Sequence, residues 1–262
     1  MNVRQAAVSG TFYPADKAEL GTLVQRLLDN AVGEQNPGKV PRALIVPHAG
    51  LIYSGAVAAS AFCLLRDAGQ SFRRVLLLGP NHRVPLRAMA VPAVSGFACP
   101  LGVMTLDAAA LRGWVDNGWV EYNDEAHRLE HCLEVQLPFL LRLNPDWQLL
   151  PVIVGQVVPE AIAALVGVGL DNPDTLVIVS SDLSHYHSYA VAQRLDQATT
   201  HHIEQLDPAL HSDQACGCVA VNGLLRAAAL RGLGARCIDL RNSGDTAGSR
   251  DSVVGYGAYV IA

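Results

Sequence analysis

The sequence has no apolar run long enough to cross a membrane. Its longest apolar stretches, residues 43–46, 75–78 and 161–170, fall far short of the ~20 residues a bilayer demands. No apolar segment follows Arg4, which predicts the absence of a signal peptide and a cytoplasmic location. Charge is scarce, at 16% of 262 residues, and no basic run is present. The 19 Lys and Arg are outnumbered by 24 Asp and Glu, a net charge of -5. A nucleic-acid binder that neutralises phosphates is therefore not expected. A phosphate-cradling glycine loop is missing, and so is the Gly-x-Ser-x-Gly elbow of an α/β-hydrolase. Repeats, low-complexity tracts and long linkers are also missing, so residues 1–262 are expected to form a single domain.

Half of the residues are hydrophobic, which excludes disorder and supplies a core that needs no disulfides. In a reducing cytoplasm the six cysteines (Cys63, Cys99, Cys132, Cys216, Cys218 and Cys237) are thiols. Most are expected to be small buried hydrophobes.

Apolar periodicity predicts helices over 16–30, 54–65, 107–115, 131–143, 159–170, 191–206 and 219–230. Asp16 is placed to cap the first, and Pro159 suits a first helical turn. Short continuous apolar runs predict buried strands over 42–46, stopped by Pro47, over 75–78, stopped by Gly79-Pro80, and over 149–154 and 176–179. An alternating tail, 252–261, predicts a last strand, and residues 34–39 predict a polar loop. Buried strands alternating with helices indicate an α/β protein whose sheet is covered on both faces.

Three of those strands end in histidine. The first runs into Pro47-His48-Ala49-Gly50, the second into Asn81-His82, and the fourth into Ser181-Asp182-Leu183-Ser184-His185. Open α/β sheets bind ligands at the carboxyl ends of their strands. If the strands run parallel, His48, His82 and His185 converge there, and convergent imidazoles suit a transition metal. A single such histidine is as readily a hydrogen-bonded structural residue.

Other candidates carry two readings each. His131 and Glu134 share a helix face as a pocket pair, or Glu134 merely favours the helix dipole. Cys216-Gly217-Cys218 is too tightly spaced for an ordinary zinc knuckle. His201, His202 and His211 read as solvated, and His187 and Tyr189 as surface cover. Residues 242–248 form a lid or an ordinary turn. Gly255 and Gly257 mark a close backbone approach or a bulge.

At this point the motifs resemble those of the Memo family. The strings from Val46 to Gly55, Leu78 to His82, Glu130 to Phe139 and Ser180 to His185 match in order. So do the opening Gly10-Thr11-Phe12-Tyr13-Pro14 and the late Ser243-Gly244-Asp245 and Val254-Gly255-Tyr256. The resemblance covers essentially the whole chain. It implies a three-layer α/β/α sandwich, the LigB-like fold of the class III extradiol ring-cleaving dioxygenases. Those enzymes hold iron(II) with two histidines and a glutamate. In Memo proteins a cysteine replaces the carboxylate. By motif, the implied metal ligands are His48, His82 and Cys216, with Cys218 the alternative thiol. Asp182 and His185 match a conserved pocket pair, His185 at the acid/base position, and His131 matches a further pocket histidine. The implied cofactor is a divalent metal, iron(II) foremost, with copper or zinc also suited to a softer thiolate set. A functional link to radical SAM and AMMECR-type proteins is implied as well. Two functions follow: a redox enzyme acting on a phenolic or enolic small molecule, or a non-enzymatic protein binding iron, copper or a peptide in the same pocket.

Overall fold

The computed structural model describes residues 2–32, 40–68 and 71–262. The polar loop expected over 34–39 lies outside the described residues. In chain order the first half comprises β1 (Val3–Arg4), α1 (Lys17–Asp29), β2 (Ala43–Val46), α2 (Leu51–Phe62), α3 (Leu65–Ala68), β3 (Arg74–Pro80), β4 (Met89–Val91), β5 (Gly96–Cys99), β6 (Gly102–Thr105), α4 (Ala108–Asp116) and β7 (Glu121–Tyr122). The second comprises α5 (Asp124–Arg128), α6 (Leu137–Leu143), β8 (Gln148–Val154), α7 (Pro159–Asp171), β9 (Thr175–Ser180), β10 (His185–His187), α8 (Tyr189–Glu204), α9 (Cys218–Ala229), β11 (Ala235–Asn242) and β12 (Val253–Ile261).

The four continuous aliphatic runs become the parallel centre of a nine-stranded sheet, ordered β10-β12-β2-β9-β3-β8-β4-β7 with β11 beside β12. β9 lies between β2 and β3 and runs parallel to both, and β8 runs parallel to β3. Their side chains are buried on both faces, which is why they read as unbroken apolar runs.

Cross-strand register identifies the layers. Ile261 pairs with Ala43, and Ala43 with Val177, so these side chains share one face. There a Cβ on Gly169 of α7 would meet Val177, and Tyr259 bonds Thr200 of α8 at 2.8 Å. Ala258 and its partner Asp239 point the other way, where Asp239 accepts from Ser60 of α2 at 2.9 Å. Helices α7, α8 and α9 thus cover one face. Helix α2 covers the other, with α6 stacked on it through Phe62 and Phe139. The result is a three-layer α/β/α sandwich. A small sheet, β1-β5-β6, closes one end.

Several boundaries differ from the periodicity for physical reasons. Helix α2 starts at Leu51 with Gly50 as its cap, because the Ser54 hydroxyl turns back to the Ala49 carbonyl at 2.8 Å. Strand β3 does not stop at Gly79-Pro80 but pairs through both onto Ile153 and Val154. Gly79 is required there, since a Cβ would sit 2.5 Å from Cys132 Sγ. The helix expected from 131 begins only at Leu137, after a 3-10 turn over Glu134–Gln136, with Pro138 in its first turn. Strand β11, bearing Arg236, Asp239 and Arg241, is an edge strand whose charges hide it from an apolar pattern.

One buried histidine outside the cleft bears on stability. His127 donates from Nε2 to the Ala90 carbonyl at 3.0 Å, and its Nδ1 has no partner. Burial lowers its pKa to about 4, and burial does the same to His48. The unfolded chain takes up these protons near pH ~6.5 while the fold refuses them, so stability falls as pH drops from there toward 4. The depressed carboxylate of Glu130 keeps its contribution across that window and loses it only at lower pH. Each histidine is expected to cost on the order of 1–2 kcal/mol between pH 7 and 5. Urea unfolding at both pH values should show a smaller loss for His127→Gln than for the parent chain; equal losses would contradict this assignment.

Candidate metal centre

Because β2, β9 and β3 are parallel neighbours, their carboxyl ends open on the same edge. β2 delivers His48 two residues past Val46, β3 delivers His82 two residues past Pro80, and β9 delivers Asp182 between them. His185 follows at the start of β10, and Cys216 arrives on the turn before α9. That turn sits directly on the end of β9. The Gly217 amide donates to Ser181 Oγ at 2.9 Å, and a Cβ at 217 would lie 2.7 Å from Ser181 Cβ and 3.1 Å from the Ser180 carbonyl. Glycine is what lets Cys216 approach the strand end.

Hydrogen bonds assign the protons. Ser180 gives its hydroxyl proton to the Cys132 carbonyl at 2.7 Å and accepts from Gln136 Nε2 at 2.9 Å. His48 Nδ1, 3.0 Å away, must therefore donate to Ser180 Oγ, which leaves Nε2 as an acceptor, facing the Cys216 thiol at 3.4 Å. Burial lowers the His48 pKa to about 4, keeping the ring neutral. His82 is oriented in the same sense. Its Nδ1 donates to Glu130 Oε1 at 2.9 Å and its amide to Oε2 at 2.7 Å, again freeing Nε2. Glu130 is buried, which alone would raise its pKa, but the imidazoles of His131 and His82 hold it well below the usual carboxylate range. A buried carboxylate that orients an imidazole is the usual support of a metal-bound histidine.

His131 lies beside these rings. Its centroid is 4.9 Å from His82 at 23° and 5.5 Å from His48 at 82°, with Phe12 4.9 Å away on another side. Donor atoms of His48, His82 and His131 all lie within 4.8 Å of one another. Cys216 Sγ is 3.4 Å from His48 Nε2 and accepts from the Asp182 amide at 3.3 Å. Burial, with the Asp182 carboxylate adding to it, pushes the Cys216 thiol up to about 12. The side chain is thus a neutral thiol that ionises only against a cation strong enough to offset burial. Cys218 begins α9 and does not line the cleft. Imidazoles held through Nδ1, with Nε2 as the accepting atom, and an adjacent thiol form a donor set that fits a transition-metal ion.

Asp182 Oδ1 accepts from the His48 amide at 2.7 Å, so this carboxylate shapes the His48 turn. The His185 ring takes its orientation elsewhere: His185 Nδ1 donates to the Leu183 carbonyl at 2.8 Å, which leaves Nε2 as the accepting atom. Tyr186, beside it, has φ of 61° and is 78% exposed. Such left-handed backbone costs a non-glycine residue energy, and here it stands at the cleft mouth. The cleft has a volume of about 950 Å³ and is lined by all six expected site residues, together with Phe12, Tyr53 and Tyr256.

The weaker candidates separate cleanly. Glu134 is fully buried and serves the N-terminal segment, accepting from Arg4 at 2.6 Å, Tyr13 at 2.5 Å and the amides of Ala7 and Val8. His201 and His211 are exposed, and His202 pairs with Asp207 at 2.7 Å. His187 and residues Ser243, Gly248 and Ser252 line the cleft, so the late polar loop forms part of its wall. Gly255 meets the predicted close approach, since a Cβ there would strike the Asp196 carboxylate. Sequence reasoning quoted Glu130 and Gln136 within a motif and Ser180 beside a strand end without giving them roles. Their partners lie 44 to 132 residues away, a distance that local spacing does not reveal.

Comparison with known proteins adds the relationship. The profile of a family described as Memo-like protein matches residues 4–260. A MEMO1 family protein of Aquifex aeolicus is 34% identical over 98% of both chains. MEMO1 family proteins of Aeropyrum pernix, 34% identical over 100% of both chains, and of Ignicoccus hospitalis, 35% identical over 98% of both, are similar too. Among solved structures, an uncharacterized Escherichia coli K12 protein superposes with a TM-score of 0.56 at 12% identity. That match covers 84% of this chain and 99% of the other, and it speaks for the fold alone.

The contact at Gly217 predicts a local response. Gly217→Ala should destabilise the protein by about 1–3 kcal/mol, because backbone and Ser181 leave no room for the methyl. Gly113→Ala in α4, where nothing lies within 4 Å of a new Cβ, should be neutral or slightly stabilising. Thermal melts of both variants check the pair, and equal melting temperatures would refute the packing argument.

Proposed function

The chain belongs to the Memo family, and from that premise we propose that its cleft holds one divalent metal ion, iron(II) by preference, and carries out a redox reaction on a small phenolic or enolic molecule. The observation that carries this reading is the convergence of His48 and His82 with both Nδ1 protons committed elsewhere, which turns both Nε2 atoms into acceptors, that of His48 beside the Cys216 thiol. His48, His82 and Cys216 are proposed as ligands. A redox-active ion there would supply electron transfer between an organic substrate and dioxygen.

The protein's own groups supply the rest. His185 Nε2 accepts the proton of a phenolic or enolic hydroxyl, since the Leu183 carbonyl holds the other ring proton in place. Asp182 keeps the His48 turn fixed through the His48 amide. The volume of about 950 Å³ suits a small ligand, with Phe12, Tyr53 and Tyr256 as apolar walls.

A second reading keeps the metal and drops the turnover. Its support is Cys216, 3.4 Å from His48 Nε2 where the dioxygenases use a carboxylate. Thiolate is softer and itself oxidisable, which suits copper or zinc as well as iron. On this reading the cleft stores or carries a metal, or binds a peptide.

Metal analysis of protein purified without air tests the shared part. Stoichiometric metal is expected in the parent chain, with His48→Ala and Cys216→Ser each losing it. His185→Ala should keep the metal and slow oxygen uptake with a panel of catechols by about 10²–10⁴-fold. Metal without any uptake that depends on His185 removes the enzyme and leaves the second reading, whereas no metal removes both.

A further inference from the structure

The three strand-end motifs do not account for everything that faces the proposed ion. His131 comes from no strand end. It is carried by the loop that Glu130 and Glu134 hold in place, and its donor atom falls within 4.8 Å of those of His48 and His82. Its Nδ1 is buried 3.2 Å from Glu130 Oε1, close enough for an ion pair but without the alignment of a hydrogen bond. His185 is oriented by the bond from its Nδ1 to the Leu183 carbonyl, whereas His131 Nδ1 makes no aligned hydrogen bond. What fixes it is packing, between Phe12 and the near-parallel ring of His82.

We propose that His131 is a ligand to the metal ion rather than an acid/base residue, making the donor set three imidazoles with Cys216 at its edge. This rests on the metal reading above and sharpens it. The placement of the His131 donor atom is explained, because three ligand atoms within 4.8 Å of one another can share a single cation. So is the crowding of three imidazole rings with centroids within 5.5 Å of one another. One further consequence concerns coordination. An ion with four protein donors has one open position fewer than the three-donor set of the dioxygenases, leaving less room for a bidentate substrate and oxygen together.

Cobalt(II) added to the whole protein without air is the probe. His131→Ala should bind it at least tenfold more weakly in a chelator competition and shift the visible d–d absorption. Imidazole added to the solution should restore both. His131→Gln, which keeps the packing, should show the same weakening. The parent cobalt protein offers a check free of any folding defect: its paramagnetic proton spectrum should contain strongly shifted exchangeable signals from three imidazoles. Unchanged affinity and spectrum in both His131 variants, with binding abolished in His48→Ala, would overturn the proposal and leave the metal reading standing. Failure of the parent chain to bind cobalt would overturn both.

Discussion

The cleft depends on a single hydroxyl proton. Ser180 ends β9, and its proton goes to the Cys132 carbonyl. The oxygen is then left to accept, and it accepts from Gln136 and from His48. One side chain thus joins three segments: the strand end, the histidine turn after β2 and the loop after α5. It also decides the His48 tautomer. Were the proton given to His48 instead, Nδ1 would be the acceptor, Nε2 would carry hydrogen, and no lone pair would face the cleft. The Gln136 amide reinforces the same assignment, because its other Nε2 hydrogen goes to the Pro47 carbonyl at 2.8 Å, just before His48. A buried network of this kind is worth having only when every member is satisfied, and these members are, apart from Gln136 Oε1.

Two buried carboxylates in that same loop divide the remaining work. Glu130 faces the histidines and takes the amides of His82, His131 and Cys132 as well as the His82 ring. Glu134 faces the opposite direction and gathers residues 4 to 13. Burying an ionised carboxylate is costly unless it is paired and fully hydrogen-bonded, and each of these is. The segment between them therefore cannot shift without unpairing one or the other. That rigidity places His131 against the cleft, and through Tyr13 it brings Phe12 to the cleft wall. The N-terminal residues belong to the site although they are remote from it in sequence.

How much of this was legible depended on the range of the interaction. Strands β2, β3, β8 and β9 were visible because burial on both faces makes a strand uniformly apolar. Convergence of His48, His82 and His185 followed once those strands were parallel, since residues just past parallel strand ends share an edge. The loop around His131 was read as helix because Leu133, Leu137 and Leu140 keep helical spacing. Its real shape is set by Pro138 and by Arg4, 130 residues away from its partner Glu134. Edge strand β11 was invisible for a different reason: an edge needs charge to deter further pairing, and charge breaks the apolar signal. The thiols were indistinguishable by composition. Only the resemblance to a family singled out Cys216, and the close seat of Gly217 on Ser181 is the physical feature that sets it apart from Cys218.

A neutral thiol beside a neutral imidazole is a specific chemical choice. A carboxylate in place of Cys216 would be charged in the free protein, would attract the His48 ring and would raise its pKa. Burial instead keeps both groups uncharged, so the cleft carries no strong anion of its own next to His48 apart from Asp182, whose Oδ1 is engaged by the His48 amide. A cation entering such a site must drive the thiol proton off, which makes binding depend on pH. Hard ions gain little from the thiolate that results, whereas softer ones gain a strong bond. In the proposed site a thiolate ligand would favour borderline and soft metals over hard ones. It also leaves a sulfur that oxidation can remove from the donor set.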